Sequence, residues 1–571
     1  MRFSARPTLV GIGTVVLVGS ALMTAPALAA PTGQQPTGQQ SGTRTVLVLG
    51  QAGASDAAIR TAITRAGGTV TQTNKDVGMY TVQTSSASFT AAARSSGSVA
   101  GVATDRVIGR APKDNAKRAD VEKLLAERSA SRAKATANPA VGAGTEPLAP
   151  LQWDMDMIHA PEAHATSTGK GVRVGIIDTG VDGTHPDIAP HFNAALSRNF
   201  TVDDPTIDGP CADEPDGSCT DPANVDENGH GTHVAGTIAS PINGLGIAGV
   251  APDAEIVNLR AGQDSGYFFL QPTVDALTYA GNNGIDVVNM SFYIDPWLYN
   301  CAANPADTPE QQLEQQTVIA ATNRALRFAR QHGVTLVAAA GNEHTDLNRP
   351  TSDNTSPDYP PDSAHPRTVD NSCLSMPAEG DDVVAVSALG PTGRKAYYSN
   401  WGTQEITVSA PGGDYRDNYG TPAYATPGNL ILAPYPKNVG ITEGAIDPVT
   451  GDITPDNVGF VIKDCTGGTC GYYQYLQGTS MAAPHVVGVA ALIIGRWGHP
   501  DPQQGGLALT PNQTEKILER TATDHACPVP SVFVYPARSA IYDSNCDGTT
   551  DDNGWYGEGV VNALTAVTQK H

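Results

Sequence analysis

Positive charge is scarce in this sequence. There are 35 Lys and Arg residues against 58 Asp and Glu, which gives a formal net charge of −23 at pH 7. A surface that binds nucleic acid needs clustered Lys and Arg to neutralise phosphates, so this composition argues against nucleic acid as a partner. Charged residues make up 16% of the chain and hydrophobic residues 40%, which is typical of a folded globular protein.

Long hydrophobic runs are missing after the first 30 residues. Arg2 and Arg6 precede an apolar run at about residues 9–22, and Ala-Leu-Ala at 27–29 has the small-x-small pattern that signal peptidase cuts. The run is short and interrupted by three glycines, which favours a signal peptide over the alternative of a membrane anchor. We therefore expect a signal peptide at residues 1–29 and a secreted, extracellular protein with no membrane contact after its removal.

No cysteine is left over, since the chain has eight. An even number in an exported protein predicts disulfide bonds. Sequence proximity suggests three pairings and leaves the fourth by remainder: Cys211–Cys219, Cys465–Cys470, Cys527–Cys546 and Cys301–Cys373. A zinc site is the alternative, but no second pair with finger-like spacing lies near Cys465 and Cys470.

The positive charges are unevenly distributed. Residues 31–145 hold 14 Lys and Arg against 7 Asp and Glu, whereas residues 146–571 hold 19 against 51. Net charges of +7 and −32 attract each other before any specific contact forms. The sequence thus predicts that a basic segment docks electrostatically on the acidic remainder.

Residues 43–110 have the pattern of a small α+β domain. Apolar runs typical of strands alternate with helical patterns in the order β-α-β-β-α-β, which predicts a ferredoxin-like fold. The strands are predicted at 45–49, 69–73, 79–82 and 99–108, and the helices at 56–66 and 88–94. A Gln-, Gly- and Pro-rich linker precedes this domain, and a connector at 111–145, with a helical patch near 121–133, follows it.

After residue 153, short buried runs alternate with segments that are long enough for crossover helices. This pattern predicts an α/β fold with a mostly parallel, doubly wound sheet, in which functional groups gather at the carboxyl ends of the strands. The runs lie at 172–177, 256–259, 287–290, 334–339 and 383–386.

Four polar residues follow these strands or begin helices. Asp178 opens Asp-Thr-Gly after a strand, and His230 opens His-Gly-Thr-His-Val-Ala-Gly at a helix start. Asn342 follows a strand and a glycine, and Ser480 of Gly-Thr-Ser-Met-Ala lies at a loop-to-helix junction that favours an oxyanion. Each alone has a structural alternative, namely a cap, a turn or, for His230 with His233, a metal site.

Together, the order Asp, His, Asn, Ser and the three quoted motifs resemble the subtilisin-like serine peptidases (subtilases). Segments at 249–252, 287–291, 408–412 and 556–562 agree, so the resemblance covers about residues 151–571. It implies that Ser480 attacks the scissile carbonyl, that His230 takes its proton and that Asp178 orients the imidazole. Asn342 and the Ser480 N–H would stabilise the oxyanion.

The resemblance also implies a domain organisation. Residues 1–29 are the signal peptide, 30–145 the propeptide with an inhibitor-like domain at 43–110, and 146–571 the catalytic domain. The chain would be a secreted, monomeric serine endopeptidase that acts on proteins and peptides, is made as an autoprocessed zymogen and has its propeptide as inhibitor and folding aid. The chemistry would need no cofactor.

One departure concerns the cleft. In the family, Met-Ser is followed by Leu-Gly-Gly, whose backbone lines the substrate cleft as an edge strand, whereas Phe-Tyr-Ile follows here. Side chains in place of glycines would narrow the cleft. The expected substrate-binding residues are Ser291, Phe292, Tyr293, Ala340 and Gly341. Additions at 203–226 and 415–475 would wall the cleft or stiffen its rim.

A second departure concerns metal binding. Asp543, Asn545, Asp547 and the nearby Asp551 match the first half of a calcium loop, D-x-N-x-D-G, but the closing Glu is missing. A structural calcium site and a solvated acidic turn both stay open.

Three other functions stay open. Asp-Ser-Gly at 264–266 repeats the pattern at 178–180, as in an aspartic peptidase, although the helical patterns oppose its all-β fold. A non-catalytic binding module would more often lack one of the four site residues. A transamidase that passes the acyl group to an amine is not separable from a hydrolase by sequence.

Overall fold

The computed structural model describes residues 42–104, 146–214, 217–359 and 363–570. All the helices and strands below belong to the compact unit that begins at residue 43. The signal peptide, the helical patch predicted at 121–133 and the last part of the strand predicted at 99–108 lie outside the described residues.

Residues 43–104 form an α+β domain in the order β-α-β-β-α-β, the arrangement that the sequence predicts. Its elements are β1 (Arg44–Gly50), α1 (Asp56–Arg65), β2 (Gly68–Asn74), β3 (Met79–Thr84), α2 (Phe89–Arg94) and β4 (Val99–Thr104). The antiparallel sheet has the strand order β2-β3-β1-β4. Helix α1 begins at Asp56 because the side chain of Ser55 accepts a hydrogen bond from the N–H of Ala58.

A seven-stranded parallel sheet forms the centre of the larger part. Its strands are β5 (Arg173–Ile177), β6 (Arg198–Asn199), β7 (Glu255–Arg260), β8 (Val287–Met290), β9 (Thr335–Ala339), β10 (Val384–Leu389) and β11 (Val408–Pro411). Their order is β11-β10-β9-β8-β5-β7-β6. Each of the five predicted runs overlaps one of these strands, and both sheet faces are buried. The strand order reverses between β5 and β8, where a crevice opens at the carboxyl ends.

Helices cover the sheet on both faces. They are α3 (Trp153–Met157), α4 (Ala160–Ala163), α5 (His230–Ala239), α6 (Leu270–Asn282), α7 (Pro309–Gln331), α8 (Lys437–Thr442), α9 (Thr479–Trp497), α10 (Pro511–Thr521) and α11 (Ala563–Thr568). Helix α7 begins at Pro309, and the side chains of Thr308 and Gln311 form a capping box there.

Helix α9 corrects one expectation. It is 19 residues long and apolar enough to cross a membrane by length and composition, so the expectation that no later segment reaches spanning length is wrong. However, 89% of its apolar window is buried inside the protein, which is the position of a core helix. Its buried surface faces the central sheet and includes Ala482, Val486, Val489 and Ile493.

The addition at 415–475 forms a sheet that supports helix α5. Its strands are β12 (Ile431–Pro434), β13 (Val461–Thr466) and β14 (Thr469–Leu476), in the order β12-β14-β13. The His233 Nε2 of α5 lies 3.2 Å from the carbonyl oxygens of both Ile431 and Gln474. His233 is therefore a buried residue that joins this sheet to α5, and a metal role is not needed to explain it.

All four predicted disulfides are present: Cys211–Cys219, Cys301–Cys373, Cys465–Cys470 and Cys527–Cys546. No cysteine is free, so no thiolate is left for a zinc site. The Cys301–Cys373 bond joins the two-residue strands Asn300–Cys301 and Cys373–Leu374, which pair antiparallel.

One face of the small domain's sheet packs on helices α6 and α7. Because side chains alternate along a strand, Leu47 and Leu49 of β1 point away from Val46 and Val48. Leu47, Leu49 and Met79 belong to the apolar cluster that contains residues of α6 and α7. Val46 and Val48 pack in a separate cluster with α1 and α2.

Hydrogen bonds complete this contact. Asp275 of α6 accepts bonds from the side-chain amides of Gln72 (2.9 Å) and Asn74 (2.8 Å), and Glu314 of α7 accepts one from the N–H of Thr104 (3.1 Å). Burial raises the pKa of both carboxyl groups. Among the described residues, no salt bridge joins the two parts. The Arg324 guanidinium of α7 donates to the carbonyl oxygens of Gly50 (2.7 Å) and Val77 (3.3 Å).

Candidate active site

Asp178 and His230 are in direct contact at the carboxyl end of β5. Asp178 follows Ile177 and is fully buried. Its Oδ1 accepts a hydrogen bond from the Thr179 N–H (2.8 Å) and lies 2.7 Å from His230 Nδ1. Since a carboxylate oxygen only accepts, Nδ1 carries the proton and the ring presents Nε2 as its basic nitrogen.

The pKa of Asp178 reflects two opposing effects. Burial raises the pKa of this carboxyl, and the imidazole of His230 lowers it in part. Only 13% of the His230 side chain is exposed, so the pair is largely shielded from water. The buried carboxyl thus orients the ring and interacts with it in a weakly screened environment.

Asp226 fixes the start of helix α5, and the sequence reasoning missed it. Its Oδ1 accepts from the N–H groups of Asn228 (3.1 Å) and Gly229 (2.8 Å), and its Oδ2 accepts from the N–H of Thr232 (3.0 Å). These bonds satisfy donors that a helix start leaves unpaired, directly beside His230. The sequence signal that could have identified this helix cap is an acidic residue shortly before Asn-Gly at the predicted helix start.

Ser480 lies in the first turn of α9, with a relative exposure of 4%. Its hydroxyl donates to the carbonyl oxygen of Ser291 (3.3 Å), and the Ser291 hydroxyl donates to the Ser480 carbonyl (3.1 Å). Ser291 directly follows β8. The structure therefore brings Ser480 to the crevice between β5 and β8, where Asp178 and His230 also lie.

Asn342 is held against the residue before Ser480. Its Oδ1 accepts from the N–H (2.9 Å) and the hydroxyl (3.0 Å) of Thr479. The orientation of the amide follows from these donors, because only the oxygen can accept both bonds, and Nδ2 is therefore turned away from Thr479. Thr479 was quoted within a motif, but no role was assigned to it from the sequence.

The five expected substrate-binding residues separate into two groups. Ser291, Ala340 and Gly341 lie beside Ser480 or the Asn342 loop, and the Gly341 N–H donates to the Thr479 hydroxyl (3.1 Å). Phe292 and Tyr293 instead face the rim of the crevice, where the Phe292 ring stacks on the Phe268 ring with centroids 4.1 Å apart. Phe292 is buried, so the side chains in place of glycines fill space there.

The predicted calcium loop is occupied by other contacts. Asp547 forms a salt bridge with Arg349 (2.8 Å) and accepts a bond from Asn545, while Asp551 accepts one from Thr549 (2.7 Å). These contacts do not fit an ion held jointly by Asp543, Asn545, Asp547 and Asp551. An acidic turn with local hydrogen bonds describes this segment better.

The cluster of three acidic ligand atoms found in the described part of the chain is elsewhere, at Asp203, Asp221 and Asp264. The guanidinium of Arg260 contacts all three carboxylates, so a cation already occupies its centre. This also accounts for the second Asp-Ser-Gly. Asp264 pairs with Arg260 and Asp178 with His230, which is not the carboxyl pair of an aspartic peptidase.

Comparisons with known proteins agree with this geometry. The profile of the Subtilase family matches residues 169–533, well over half of the chain. M-protease of Shouchella clausii is 28% identical over 344 residues, which cover 60% of this chain and 59% of that protein. Subtilisin BL of Lederbergia lenta is also 28% identical over 344 residues, and the match covers 84% of its length.

Two solved structures share the fold. One is the epidermin leader peptide processing serine protease (EpiP) of Staphylococcus aureus, with a TM-score of 0.59, 19% identity and coverage of 93% of this chain and 99% of that one. The other is fervidolysin of Fervidobacterium pennivorans, a keratinolytic enzyme related to subtilisin, with a TM-score of 0.54, 22% identity and coverage of 93% and 61%. The family profile shows that the chain belongs to the subtilase family of serine peptidases, and the parallel sheet and the Asp178–His230 contact agree with it.

Proposed function

We propose that this protein is a serine endopeptidase that hydrolyses peptide bonds of proteins through an acyl-enzyme on Ser480. The observation that carries the proposal is the 2.7 Å contact between Asp178 Oδ1 and His230 Nδ1, in the crevice that also holds Ser480. With its proton on Nδ1, His230 has Nε2 as the base that takes the Ser480 proton.

The reaction has two halves. Ser480 Oγ bonds to the scissile carbonyl carbon, its proton passes to His230 Nε2, and the carbonyl oxygen becomes an oxyanion. Asn342 Nδ2 and the N–H of Ser480 donate to that oxyanion. The imidazolium then protonates the leaving amine as the C–N bond breaks. Water, deprotonated by His230, releases the acyl group by the reverse sequence of steps.

The proposal extends to the N-terminal region. Residues 1–29 direct secretion, and the small domain within residues 30–145 is a propeptide that inhibits the enzyme and assists its folding until it is cut off. Its apolar contact with α6 and α7 and its hydrogen bonds to Asp275 and Glu314 support this role. None of the residues that make these contacts lies near residue 145 in the sequence. Cleavage there would therefore leave the contacts intact.

An active-site label tests both parts. The secreted protein and its Ser480→Ala variant are treated with a serine-directed fluorophosphonate, and the modified peptide and the N-terminus are read by mass spectrometry. We expect label on Ser480, a wild-type N-terminus near residue 145 and an unprocessed variant. The exposed Ser372→Ala variant is the matched control and behaves as wild type. A folded, processed protein without label would contradict the proposal and favour a binding module.

A hydrolase and a transamidase give different products. We expect the acyl group to pass to water, so added amine leaves the product masses unchanged. Products that carry the amine as their main species would assign the second half of the reaction to transfer.

A further inference from the structure

The cleft has a defined end on the side that receives residues before the cut. The Ser291 carbonyl lies 3.3 Å from Ser480 Oγ, so a bound peptide passes along Ser291 and the residues 292–294 that follow it. Extended peptides pair with such segments through backbone hydrogen bonds. At about 3.3 Å per residue, Tyr293 lies about 7 Å beyond Ser291, beside the third residue before the cut.

The opposite wall of the cleft, which contains Phe268, is hydrogen-bonded to the segment that follows Ser291. Phe268 donates its N–H to Asp295 Oδ2 (2.5 Å), and the Asp295 N–H donates to the Phe268 carbonyl (2.7 Å). Both backbone groups of Phe268 are therefore engaged within the protein. Together with the stacked rings of Phe268 and Phe292, these bonds close the groove, and a peptide strand finds no pairing position at Phe268.

Asp358 lies at this closed end and touches both walls. The Tyr293 hydroxyl donates to Asp358 Oδ2 (2.6 Å), and the Tyr267 hydroxyl donates to the Asp358 carbonyl (3.3 Å). The Asp358 N–H donates to the Pro296 carbonyl (3.1 Å), so the backbone is held as well. The second carboxylate oxygen, Oδ1, is buried and has no hydrogen-bond partner among the described residues, whereas the Asp358 residue as a whole is half-buried.

The surroundings of Asp358 are negative. Asp204 accepts a bond from the Tyr359 hydroxyl (3.4 Å), and Asp208 accepts one from the N–H of Ser265 (2.7 Å), which belongs to the Phe268 wall. Within the described chain, no Lys or Arg forms a salt bridge with Asp204, Asp208 or Asp358. Clefts lined by one sign of charge concentrate the opposite charge.

We propose that Asp358 determines specificity by selecting peptides with a positive charge at the third or fourth residue before the cut. Two sources supply that charge: a Lys or Arg side chain, or the free α-amino group of a peptide whose N-terminus lies at that position. Either cation can form an ion pair with the half-buried Asp358 carboxylate, which the Tyr293 hydroxyl holds in place through Oδ2. This inference rests on the proposed peptidase activity of the same site.

Paired peptides test the proposal. Quenched fluorescent peptides carry Arg or its neutral isostere citrulline at the third or fourth residue before the cut, with an acetylated distant N-terminus. A second pair ends at that position with a free or an acetylated amine. For the wild type we expect kcat/KM to be about tenfold higher for the charged member of at least one pair, and the pair that responds identifies the source of the charge.

The Asp358→Asn variant separates this carboxylate from the general negative charge of the protein. We expect the charged-to-neutral ratio of kcat/KM to fall from about ten to about one, whereas the exposed Asp370→Asn control, on the same disulfide-bonded segment, keeps the wild-type ratio. A ratio that survives in Asp358→Asn and disappears in 1 M salt would assign the preference to the overall field and overturn the proposal.

The Tyr293→Phe variant addresses a purely structural role. It removes the hydroxyl but keeps the Asp358 carboxylate, so the charge preference is retained even where the melting temperature falls. If Asp358→Asn and Tyr293→Phe lower kcat/KM for all peptides equally, Asp358 only fastens the rim and the proposal is wrong. If the wild type neither cuts any peptide nor labels at Ser480, the peptidase function itself fails, which is a separate outcome.

Discussion

Asn342 and Thr479 hold each other across the crevice, since Asn342 Oδ1 accepts both the N–H and the hydroxyl of Thr479. These two bonds fix the plane of the Asn342 amide. They also fix the direction of its Nδ2, which points away from Thr479. Orientation before the reaction is what makes an oxyanion donor effective, because no reorganisation is needed as charge develops.

Replacing Asn342 tests this role. We expect Asn342→Ala to lower kcat by about 10²–10³ with little change in KM, since the donor acts on the transition state and not on the bound substrate. The measurement is steady-state hydrolysis of a peptide substrate. Equal losses in kcat and in substrate affinity would contradict an oxyanion role.

Replacing Thr479 tests the orientation itself. Thr479→Val removes the hydroxyl that bonds both Asn342 and the Gly341 N–H, and two such bonds correspond to about a tenfold loss in kcat. Thr479→Ser keeps the hydroxyl and is expected to retain activity within about twofold. An inactive Ser variant with a normal melting temperature would show that the methyl group, and not the hydroxyl, matters.

The sequence predicts the local parts of this molecule better than the distant ones. The strands, three of the disulfides and the order of the site residues follow from periodicity, proximity and motif, and the Cys301–Cys373 bond follows as the remaining pair. Asp358 was missed because its partner Tyr293 is 65 residues away, and nothing in the sequence pairs them. The choice between a calcium loop and an acidic turn stayed open in the sequence for the same reason, since Arg349 pairs with Asp547 from 198 residues away.

Gly231 allows α5 to approach β5 closely enough for His230 to meet Asp178. A Cβ at this position would lie 2.1 Å from the Gly180 carbonyl oxygen and 3.0 Å from Asp178 Cβ. We expect Gly231→Ala to displace the helix start, with a loss of activity of at least about a hundredfold and a lower melting temperature. Gly428→Ala, where the nearest atom is 3.8 Å away, is the matched control and leaves both unchanged. An active Gly231→Ala enzyme would show that the two elements move apart at little cost.

Glu379, which is half-buried, makes stability depend on pH. Burial raises the pKa of its carboxyl from 4.5 to about 7, and the Ser375 N–H offsets only part of that effect. Between these values the folded state binds a proton that the unfolded state has lost, so the free energy of unfolding falls as pH rises from 4.5 to 7 and stays reduced above pH 7.

The Glu379→Gln variant removes this titration. At pH 8 we expect it to be more stable than its parent by up to about 3 kcal/mol, with a smaller difference at pH 5. Urea unfolding at pH 5, 6, 7 and 8 in a Ser480→Ala background measures it without autolysis, and the exposed Glu310→Gln is the control. A constant difference at all four pH values would show that Glu379 does not titrate in this window.

At the contact between the small domain and the catalytic part, the effect of long-range charge can be measured separately from the effect of the close contacts. The close contacts are apolar contacts and hydrogen bonds, with no salt bridge among the described residues, whereas residues 31–145 and 146–571 carry net charges of opposite sign. Raising the salt from 0.1 M to 1 M shortens the screening length from about 10 Å to about 3 Å. Salt therefore weakens the attraction between the two charge distributions but leaves the hydrogen bonds of Asn74 and Thr104 largely intact.

We accordingly expect the processed small domain to inhibit the mature enzyme several-fold more weakly in 1 M than in 0.1 M NaCl, measured as the lag in peptide hydrolysis after processing. Asn74→Ala loses its bonds to Asp275 and Thr278, so it should weaken inhibition by the same factor at both salt concentrations. Parallel salt dependences for wild type and Asn74→Ala would establish that the two contributions are independent. Inhibition that is unchanged between 0.1 M and 1 M would show that electrostatic docking is wrong and that the apolar face of β1 and β3 suffices.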